Sequence, residues 1–248
     1  MKIIVSPAKK MRAGVEFPKP EGFPVFLSRT QRLLDCLRAM EYQELKTLWG
    51  CNDGIAGLNY ERLKNMDLQA MGHVSAALTS YDGIQYQYMA PQVFTEEALR
   101  YVQEHLRILS GFYGILKPLD SVVPYRLEMQ AKLRTDWGRN LYEYWGDLLY
   151  RELTREDSVI LDLASAEYSR CIRRYLCPED TFITCVFGEL EDGAVKEKGV
   201  YVKMARGEMV RYLAEKRAAG PQEAKEFDRL GFRWREDLSD ETRYVFVR

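Results

Sequence analysis

The sequence predicts an α/β fold, with a mixed sheet surrounded by helices, in one domain that spans residues 1–248. Short apolar runs, such as Ile3-Ile4-Val5 and Val159–Leu163, are typical of buried strands. Segments in which apolar residues recur every three or four positions lie between such runs and predict helices. Because no linker, internal repeat or low-complexity segment interrupts the chain, we expect a single compact domain.

The first part of the chain predicts one strand followed by helices. The strand Ile3-Ile4-Val5 ends in a polar segment, where the Ser6 hydroxyl and the mobile Lys9 cation suit either a phosphate ligand or an ordinary solvated loop. Prolines and glycines between residues 12 and 24 predict a surface loop. Two helices should follow, with the apolar stripes Leu33, Leu34, Leu37, Met40 and Leu45, Leu48, Trp49.

A turn and a strand are predicted next. Tyr81-Asp82-Gly83 has the composition of a turn, in which Asp82 either caps the turn or accepts a hydrogen bond from a ligand. Tyrosines then alternate with glutamines, which predicts a strand over Ile84–Met89. Thr95 is the expected N-cap of the helix that follows.

The run His105–Asp120 predicts a helix-hairpin-helix. A helix arrives with one apolar face, Gly111 and Gly114 supply a tight turn, and Pro118 ends the apolar segment beyond it. In such a motif the amide N–H groups of the turn face a nucleic-acid phosphate. An ordinary helical hairpin is the alternative interpretation, and the turn Asn52–Asn59 is a rival position for the motif.

The third quarter predicts a helix, a strand and a second helix. Trp137–Arg151 has the pattern of an amphipathic helix, and Val159–Leu163 that of a short buried strand. Ser165 and Glu167 follow this strand where the next helix opens. Open α/β sheets bind ligands at such positions, although both residues also suit a helix N-terminus.

The last quarter predicts paired strands and a basic segment. Thr181–Phe187 and Lys198–Val202 read as strands joined by an Asp192-Gly193 turn. Lys203 and Arg206 are three residues apart, so a helix there would point both side chains one way, as one wall of a basic cleft or as a solvated face. Two terminal strands are expected over Phe232–Arg235 and Tyr244–Val247.

Composition constrains the function. The formal net charge of −1 provides no general attraction to nucleic acid, so a nucleic-acid-binding protein of this composition must concentrate its basic residues on one face. No apolar run is long enough to cross a bilayer, and we expect a cytoplasmic protein without membrane partners. Five scattered cysteines indicate neither a disulfide framework nor a zinc site, so buried structural thiols are favoured over a redox sensor. No metal site or cofactor is predicted.

The chain resembles the YaaA family, a group of bacterial peroxide-stress proteins. His105–Asp120 and Tyr125–Met129 are similar to the signature of that family. Further similarities occur in the same order as in the family, at Ser6-Pro7-Ala8-Lys9, Tyr81-Asp82-Gly83, Trp145-Gly146-Asp147, Leu163-Ala164-Ser165-Ala166-Glu167-Tyr168 and Ala205-Arg206-Gly207. Each motif is weak by itself, but the ordered set is specific and covers most of the chain.

The resemblance implies a protective function. YaaA-like proteins limit unincorporated intracellular iron and oxidative damage, and bind DNA through a helix-hairpin-helix and a positively charged cleft in an unusual α/β fold. The resemblance therefore implies that the partner is double-stranded DNA, bound through contacts to its phosphate backbone. From the matched motifs we extrapolate the phosphate-binding residues Ser6, Lys9, Arg107, Gly111, Gly114, Lys117, Arg126, Lys203 and Arg206.

An enzyme that acts on a nucleotide or nucleobase is the alternative. Many polar residues of the matched motifs lie at strand or helix ends, which scaffolding alone rarely requires. Asp82, Glu128 or Glu167 would serve as a general base, and Tyr81 or Tyr125 would stack on a base. A recess lined by Lys9, Asp82, Arg126 and Glu167 would favour this alternative.

Overall fold

A sheet of mainly parallel strands forms the centre of the fold. The computed structural model describes residues 1–69 and 74–248. The strands are β1 (Lys2–Val5), β2 (Ser75–Ala76), β3 (Leu106–Ser110), β4 (Gly114–Leu116), β5 (Ser121–Val122), β6 (Val159–Leu163), β7 (Thr181–Glu191), β8 (Ala194–Lys196), β9 (Arg233–Trp234) and β10 (Arg243–Val247). The helices are α1 (Leu27–Arg38), α2 (Tyr42–Trp49), α3 (Asp53–Asn65), α4 (Ala77–Ser80), α5 (Ile84–Met89), α6 (Glu96–His105), α7 (Leu141–Trp145), α8 (Leu148–Thr154), α9 (Ala166–Arg173) and α10 (Gly199–Lys216).

The strand order places β1 and β6 side by side in the middle of the sheet. The order is β4-β3-β1-β6-β7-β10-β9, with β8 paired to β7, while β2 and β5 form a separate pair. Strands β3, β1, β6, β7 and β10 are parallel, whereas β4, β8 and β9 run antiparallel to their neighbours. Val5 pairs with Leu163, so β1 and β6 end at the same edge. The predicted mixed α/β fold is confirmed.

The prediction of a helix-hairpin-helix over His105–Asp120 is wrong. Helix α6 begins after the expected cap, where the Thr95 hydroxyl accepts from the Ala98 amide at 3.2 Å, and it ends at His105. The chain then forms the antiparallel hairpin of β3 and β4, in which every residue of both strands is buried. A strand buried on both faces reads as a continuous apolar run, and periodicity alone does not separate it from a buried helix.

Gly111 and Gly114 allow neighbouring segments to pack closely against this hairpin. A Cβ on Gly111 would lie 2.6 Å from the carbonyl oxygen of Leu127, so only glycine allows the two backbones to approach. Gly114 has a φ of 79°, and a Cβ there would meet the Trp145 ring at 2.9 Å. Because both turn residues between the glycines are also buried, the turn does not present its amides to a phosphate.

A helical hairpin occurs next to the rival position, between α2 and α3. Helix α2 ends at Trp49, Gly50 adopts a left-handed conformation, and Asn52 caps α3 by accepting from the Ile55 amide at 2.9 Å. The turn between these helices is Gly50-Cys51-Asn52, so the prediction of a turn over Asn52–Asn59 is wrong: Asn52 caps α3, and residues 53–59 form the first part of that helix.

Three other predicted elements differ from the structure. Residues Ile84–Met89 form the helix α5, not a strand, because Gln85, Tyr86 and Met89 are buried at helical spacing. The helix expected over Trp137–Arg151 is divided into α7 and α8, since Gly146 has a positive φ of 53°. The expected strand Lys198–Val202 is instead the start of α10, while the Asp192-Gly193 turn joins β7 to β8.

Helices α5 and α10 pack closely over the sheet. The contact depends on Gly207, because a Cβ at this position would lie 2.1 Å from the carbonyl oxygen of Gln85. This approach fixes Gln85 beside the turn of α10 that carries Arg206. In the segments 1–69 and 74–248, no helix combines the length and the apolar character that a membrane span needs.

Candidate functional site

A recess of about 550 Å³ opens at the carboxyl ends of β1 and β6. This is the edge at which parallel α/β sheets bind ligands, because loops and helix N-termini converge there. Most of the sequence-predicted site residues line it, namely Ser6, Lys9, Asp82, Tyr125, Arg126, Glu128, Ser165, Glu167, Lys203 and Arg206.

Ser6 and Ser165 join the two strand ends. The Ser165 amide donates to Ser6 Oγ at 2.8 Å, and the two hydroxyl oxygens are 3.1 Å apart. The Tyr86 hydroxyl from α5 donates to the carbonyl oxygen of Ser6 at 2.9 Å. These contacts tie β1, β6 and α5 together beneath the recess, so the Ser6 hydroxyl already has a structural role.

An ion-pair cluster crosses the mouth of the recess. Lys9 Nζ is 2.7 Å from Glu128 Oε2, and Arg126 Nη2 is 3.7 Å from Glu128 Oε1. The Lys9 side chain is 66% exposed, whereas the Arg126 side chain is only 11% exposed. Glu128 therefore orients both cations, while the exposed lysine stays free to move toward a ligand.

Asp82 is a buried carboxylate held by two cations. Lys10 Nζ lies 2.8 Å from Asp82 Oδ2, and Arg12 Nη2 donates to Asp82 Oδ1 at 3.0 Å. These hydrogen bonds lower the pKa of Asp82 to about 2. A carboxylate with so low a pKa is a weak base, so Asp82 is better suited to holding the Lys10–Arg12 loop than to proton transfer.

Glu167 has the opposite electrostatics. Its side chain is half-buried at the start of α9 and accepts from the Gln130 amide at 3.1 Å. Burial raises the pKa of Glu167, with the charge of Glu128 acting in the same direction. The raised pKa of Glu167, unlike the lowered pKa of Asp82, shifts the carboxylate in the direction that suits a general base.

Arg206 lines the recess from α10 and is half-buried, whereas Lys203 on the same helix is exposed. Burial lowers the pKa of Arg206, while the nearby Asp162 carboxylate opposes that shift. Asp162 is 1% exposed and is held by Ser169 Oγ at 2.6 Å and Arg173 Nη2 at 3.1 Å. Arg206 therefore remains a fixed cation in the recess rather than one half of a closed ion pair.

A second, more open depression of about 940 Å³ adjoins the recess. Both share Lys9, Arg126 and Glu128, and the larger one runs along α2 to Gly50 at the turn of the helical hairpin. Lys132 is exposed on its far side. Together the two form one groove, here called the Lys9 groove, which extends from Arg206 to Gly50.

Four predicted phosphate-binding residues do not line either depression. Arg107 is 5% exposed and donates through Nη1 to the carbonyl oxygens of Gln103, Glu104 and Leu106. Gly111 and Gly114 lie in the buried hairpin, and Lys117 follows β4. The predicted stacking residue Tyr81 is 3% exposed, and its hydroxyl pairs with that of Tyr125 at 2.9 Å.

The sequence interpretation missed Gln85, Tyr86 and Tyr168 as lining residues. Gln85 and Tyr86 follow the Tyr81-Asp82-Gly83 motif directly, but the strand prediction hid their helical spacing. Tyr168 ends the motif Leu163-Ala164-Ser165-Ala166-Glu167-Tyr168, whose residues also suit the start of a helix. Within the described segments, no three His, Cys, Asp or Glu side chains cluster in a way that would hold a metal ion.

Comparison with known proteins finds similarity along the whole chain. The family model described as "Peroxide stress protein YaaA" matches residues 1–238. A UPF0246 protein of Desulfitobacterium hafniense is 60% identical over 248 residues, covering 100% of this chain and 98% of the relative. UPF0246 proteins of Lachnoclostridium phytofermentans and Agathobacter rectalis are 52% and 50% identical, each across 100% of this chain and across 96% and 99% of their own lengths. The chain therefore belongs to the YaaA family of peroxide stress proteins.

Proposed function

We propose that this peroxide-stress protein limits unincorporated intracellular iron and oxidative damage, and that it binds double-stranded DNA along the Lys9 groove. Family membership supports the protective role. One observation carries the proposal for DNA: the cationic recess and the α2–α3 helical hairpin border the same groove. The family resemblance associates DNA binding with a helix-hairpin-helix and a basic cleft, and we propose that the α2–α3 helical hairpin takes the first role.

The charges along the Lys9 groove favour contacts with phosphates. Lys9, Lys132 and Lys203 are exposed along its length, with mobile side chains that follow a curved backbone. Glu128 partly neutralises the centre, and Asp53 lies at the start of α3 beside Lys46. We therefore expect weak binding, dominated by counterion release and with little base readout.

A mobility-shift titration of a short duplex across a salt series tests this proposal. Lys132→Gln and Lys203→Gln should each weaken binding and reduce the slope of log K against log salt by about 0.9, the value for one lost phosphate contact. Lys19→Gln is the matched control, because Lys19 is exposed in the loop before α1, outside the groove. An absence of duplex binding even at low salt would contradict the proposal that the protein binds double-stranded DNA.

The iron role is tested separately in cells. A deletion strain that carries either the wild-type gene or a Lys9→Gln, Lys203→Gln double variant is exposed to hydrogen peroxide. Unincorporated iron is then measured by electron paramagnetic resonance of chelator-treated cells. We expect the wild type to lower this iron signal and the double variant to do so less. Equal iron in the deletion and complemented strains contradicts the proposal.

An enzyme that acts on a nucleotide or nucleobase is the second candidate. It is favoured by a specific observation, since Lys9, Asp82, Arg126 and Glu167 all line one recess of small-molecule size. Glu167 is the group with a pKa raised toward the range of a general base. Incubation with nucleotides and product analysis by chromatography tests this role. Turnover that Glu167→Gln abolishes supports it, and an unchanged nucleotide pool contradicts it.

A further inference from the structure

Three buried N–H donors around the recess have no acceptor among the described residues. They are Gln85 Nε2, Arg126 Nε and Arg206 Nε. Six buried side-chain nitrogen or oxygen atoms of the described residues lack a hydrogen-bond partner, and three of these six belong to residues that line one recess. A buried donor without an acceptor costs stability, and a folded protein usually pairs it. Their concentration here points to an occupant that supplies the acceptors.

The three side chains come from different parts of the chain, and packing or ion pairing fixes the backbone of Gln85 and the side chain of Arg126. Gln85 lies on α5 and is only 7% exposed, and its backbone packs directly against Gly207 of α10. Arg206 precedes that glycine. Arg126 is positioned from the other side by Glu128 and by the carbonyl oxygen of Trp49, to which its Nη2 donates at 3.3 Å. Donors fixed in this way are preorganised for a ligand.

The chemistry of these groups defines the part of the ligand that they bind. Two are guanidinium N–H groups, which pair best with the oxygens of phosphates and carboxylates. Gln85 adds a neutral amide that bonds without adding charge. The recess of about 550 Å³ is much larger than one phosphate, so a further portion of the ligand occupies the rest. Glu128 and Glu167 line that remaining space and accept hydrogen bonds from hydroxyl or amino groups.

We infer that Gln85, Arg126 and Arg206 form an anion subsite for the terminal phosphate of a small phosphomonoester, with a nucleoside 5′-monophosphate as the ligand class. The inference rests on the phosphate-binding role proposed above and extends it to a free small molecule. An intact duplex carries its phosphates on its outer surface, so it does not bring them to buried atoms beneath the groove. The carboxylates then face the sugar and the base, which carry the donors.

Isothermal titration calorimetry tests the subsite. The probes are the adenosine, guanosine, cytidine and uridine 5′-monophosphates, the four nucleosides and inorganic phosphate. At least one monophosphate should bind, and its nucleoside should bind at least tenfold more weakly. Gln85→Leu and Arg206→Gln should each lower the affinity about tenfold or more, the effect of losing a hydrogen bond to a charged group.

Controls keep the result interpretable. Arg211→Gln lies on the same helix as Arg206 but pairs with Glu215 outside the recess, so nucleotide affinity should be unchanged. Circular dichroism establishes that each variant folds. If Arg206→Gln does not fold, Gln85→Leu still tests the subsite, because this substitution leaves the net charge unchanged. Inorganic phosphate binding as tightly as every monophosphate would retain the subsite and assign it to free phosphate.

Two outcomes overturn the inference. One is that neither a monophosphate nor phosphate binds the folded wild-type protein. The other is that both variants bind as tightly as the wild type. Duplex binding by the wild-type protein is measured in parallel in the mobility-shift titration, which does not require the subsite to be occupied. A failed subsite with intact duplex binding is thereby distinguished from failure of the proposed function.

Discussion

The β3–β4 hairpin and the recess are both lined by polar groups inside the fold, but they differ in hydrogen bonding. In the hairpin, Ser110 Oγ accepts from the Tyr113 amide at 2.9 Å and lies 2.7 Å from the Tyr125 hydroxyl. The Tyr125 hydroxyl also contacts that of Tyr81 at 2.9 Å. In the recess, by contrast, Gln85 Nε2 and Arg206 Nε have no acceptor in the segments 1–69 and 74–248. A closed hydrogen-bond network stabilises a scaffold, whereas an open one is available to a ligand.

The largest expected effect comes from Gly111→Ala in the hairpin. The new methyl group would overlap the backbone of Leu127 and Glu128, which cannot move without displacing the segment that carries Arg126 and Glu128 into the recess. We expect a loss of about 3 kcal/mol or more in the free energy of unfolding, measured by urea denaturation. Gly57→Ala is the matched control, because no atom of the part of the chain that the structure describes lies within 4 Å of that Cβ on α3. A small effect of Gly111→Ala would show that the hairpin is not tightly packed.

Asp120, just beyond β4, should control the pH dependence of stability. Burial raises its pKa to about 6 from an ordinary value of 3.8. The folded state therefore binds more protons than the unfolded state between about pH 4 and 6, and wild-type stability falls through that window as pH rises. Asp120→Asn removes the buried charge and keeps an acceptor for the Lys117 amide. At pH 7 it should be more stable than wild type by about 3 kcal/mol.

Denaturation of both proteins at pH 4, 5, 6 and 7 measures this effect. The advantage of Asp120→Asn should grow from about pH 4 to pH 6 and remain constant above that. A constant difference at every pH would mean that the Asp120 carboxyl titrates in the folded protein as it does in the unfolded chain.

Removing one hydroxyl or one amide sharpens the comparison between the two regions. Tyr125→Phe leaves Ser110 and Tyr81 without their shared partner and should cost about 1–3 kcal/mol in the free energy of unfolding. Gln85→Leu removes an unpaired donor, so stability should stay level or rise by up to about 1 kcal/mol. Thermal denaturation without ligand compares the two. Equal destabilisation would contradict the distinction between a closed and an open network.

Asp82→Asn should show a pH dependence opposite to that of Asp120. The folded pKa of Asp82 is lowered to about 2, so its ion pairs stabilise the fold above about pH 4 and are lost as pH falls toward 2. Since Lys10 and Arg12 are 77% and 62% exposed, solvent screening limits the loss in the variant at pH 7 to about 1 kcal/mol. Acid titration followed by circular dichroism measures it, and an equal loss at pH 2 and pH 7 would exclude the ion pairs as its cause.

Local sequence determined those parts of the molecule whose conformation depends on near neighbours. The first strand, the strand that begins at Val159, the helix capped by Thr95 and the Asp192-Gly193 turn were all predicted correctly. The polar residues Ser6 and Ser165 were also identified at strand ends. In each case a short apolar run, a capping side chain or a turn dipeptide specifies the structure within a few residues.

Only the tertiary structure decided what residues 106–116 form and which side chains meet in the recess. Residues 106–116 are buried on both faces, and this burial removes the hydrophobic periodicity that distinguishes a strand from a helix. Gln85, Arg126 and Arg206 are far apart in the chain, and their proximity arises from the packing of α5 against α10 and from the strand order that joins β1 to β6. Unpaired donors become visible only when every surrounding acceptor has been placed, and that information is absent from local sequence.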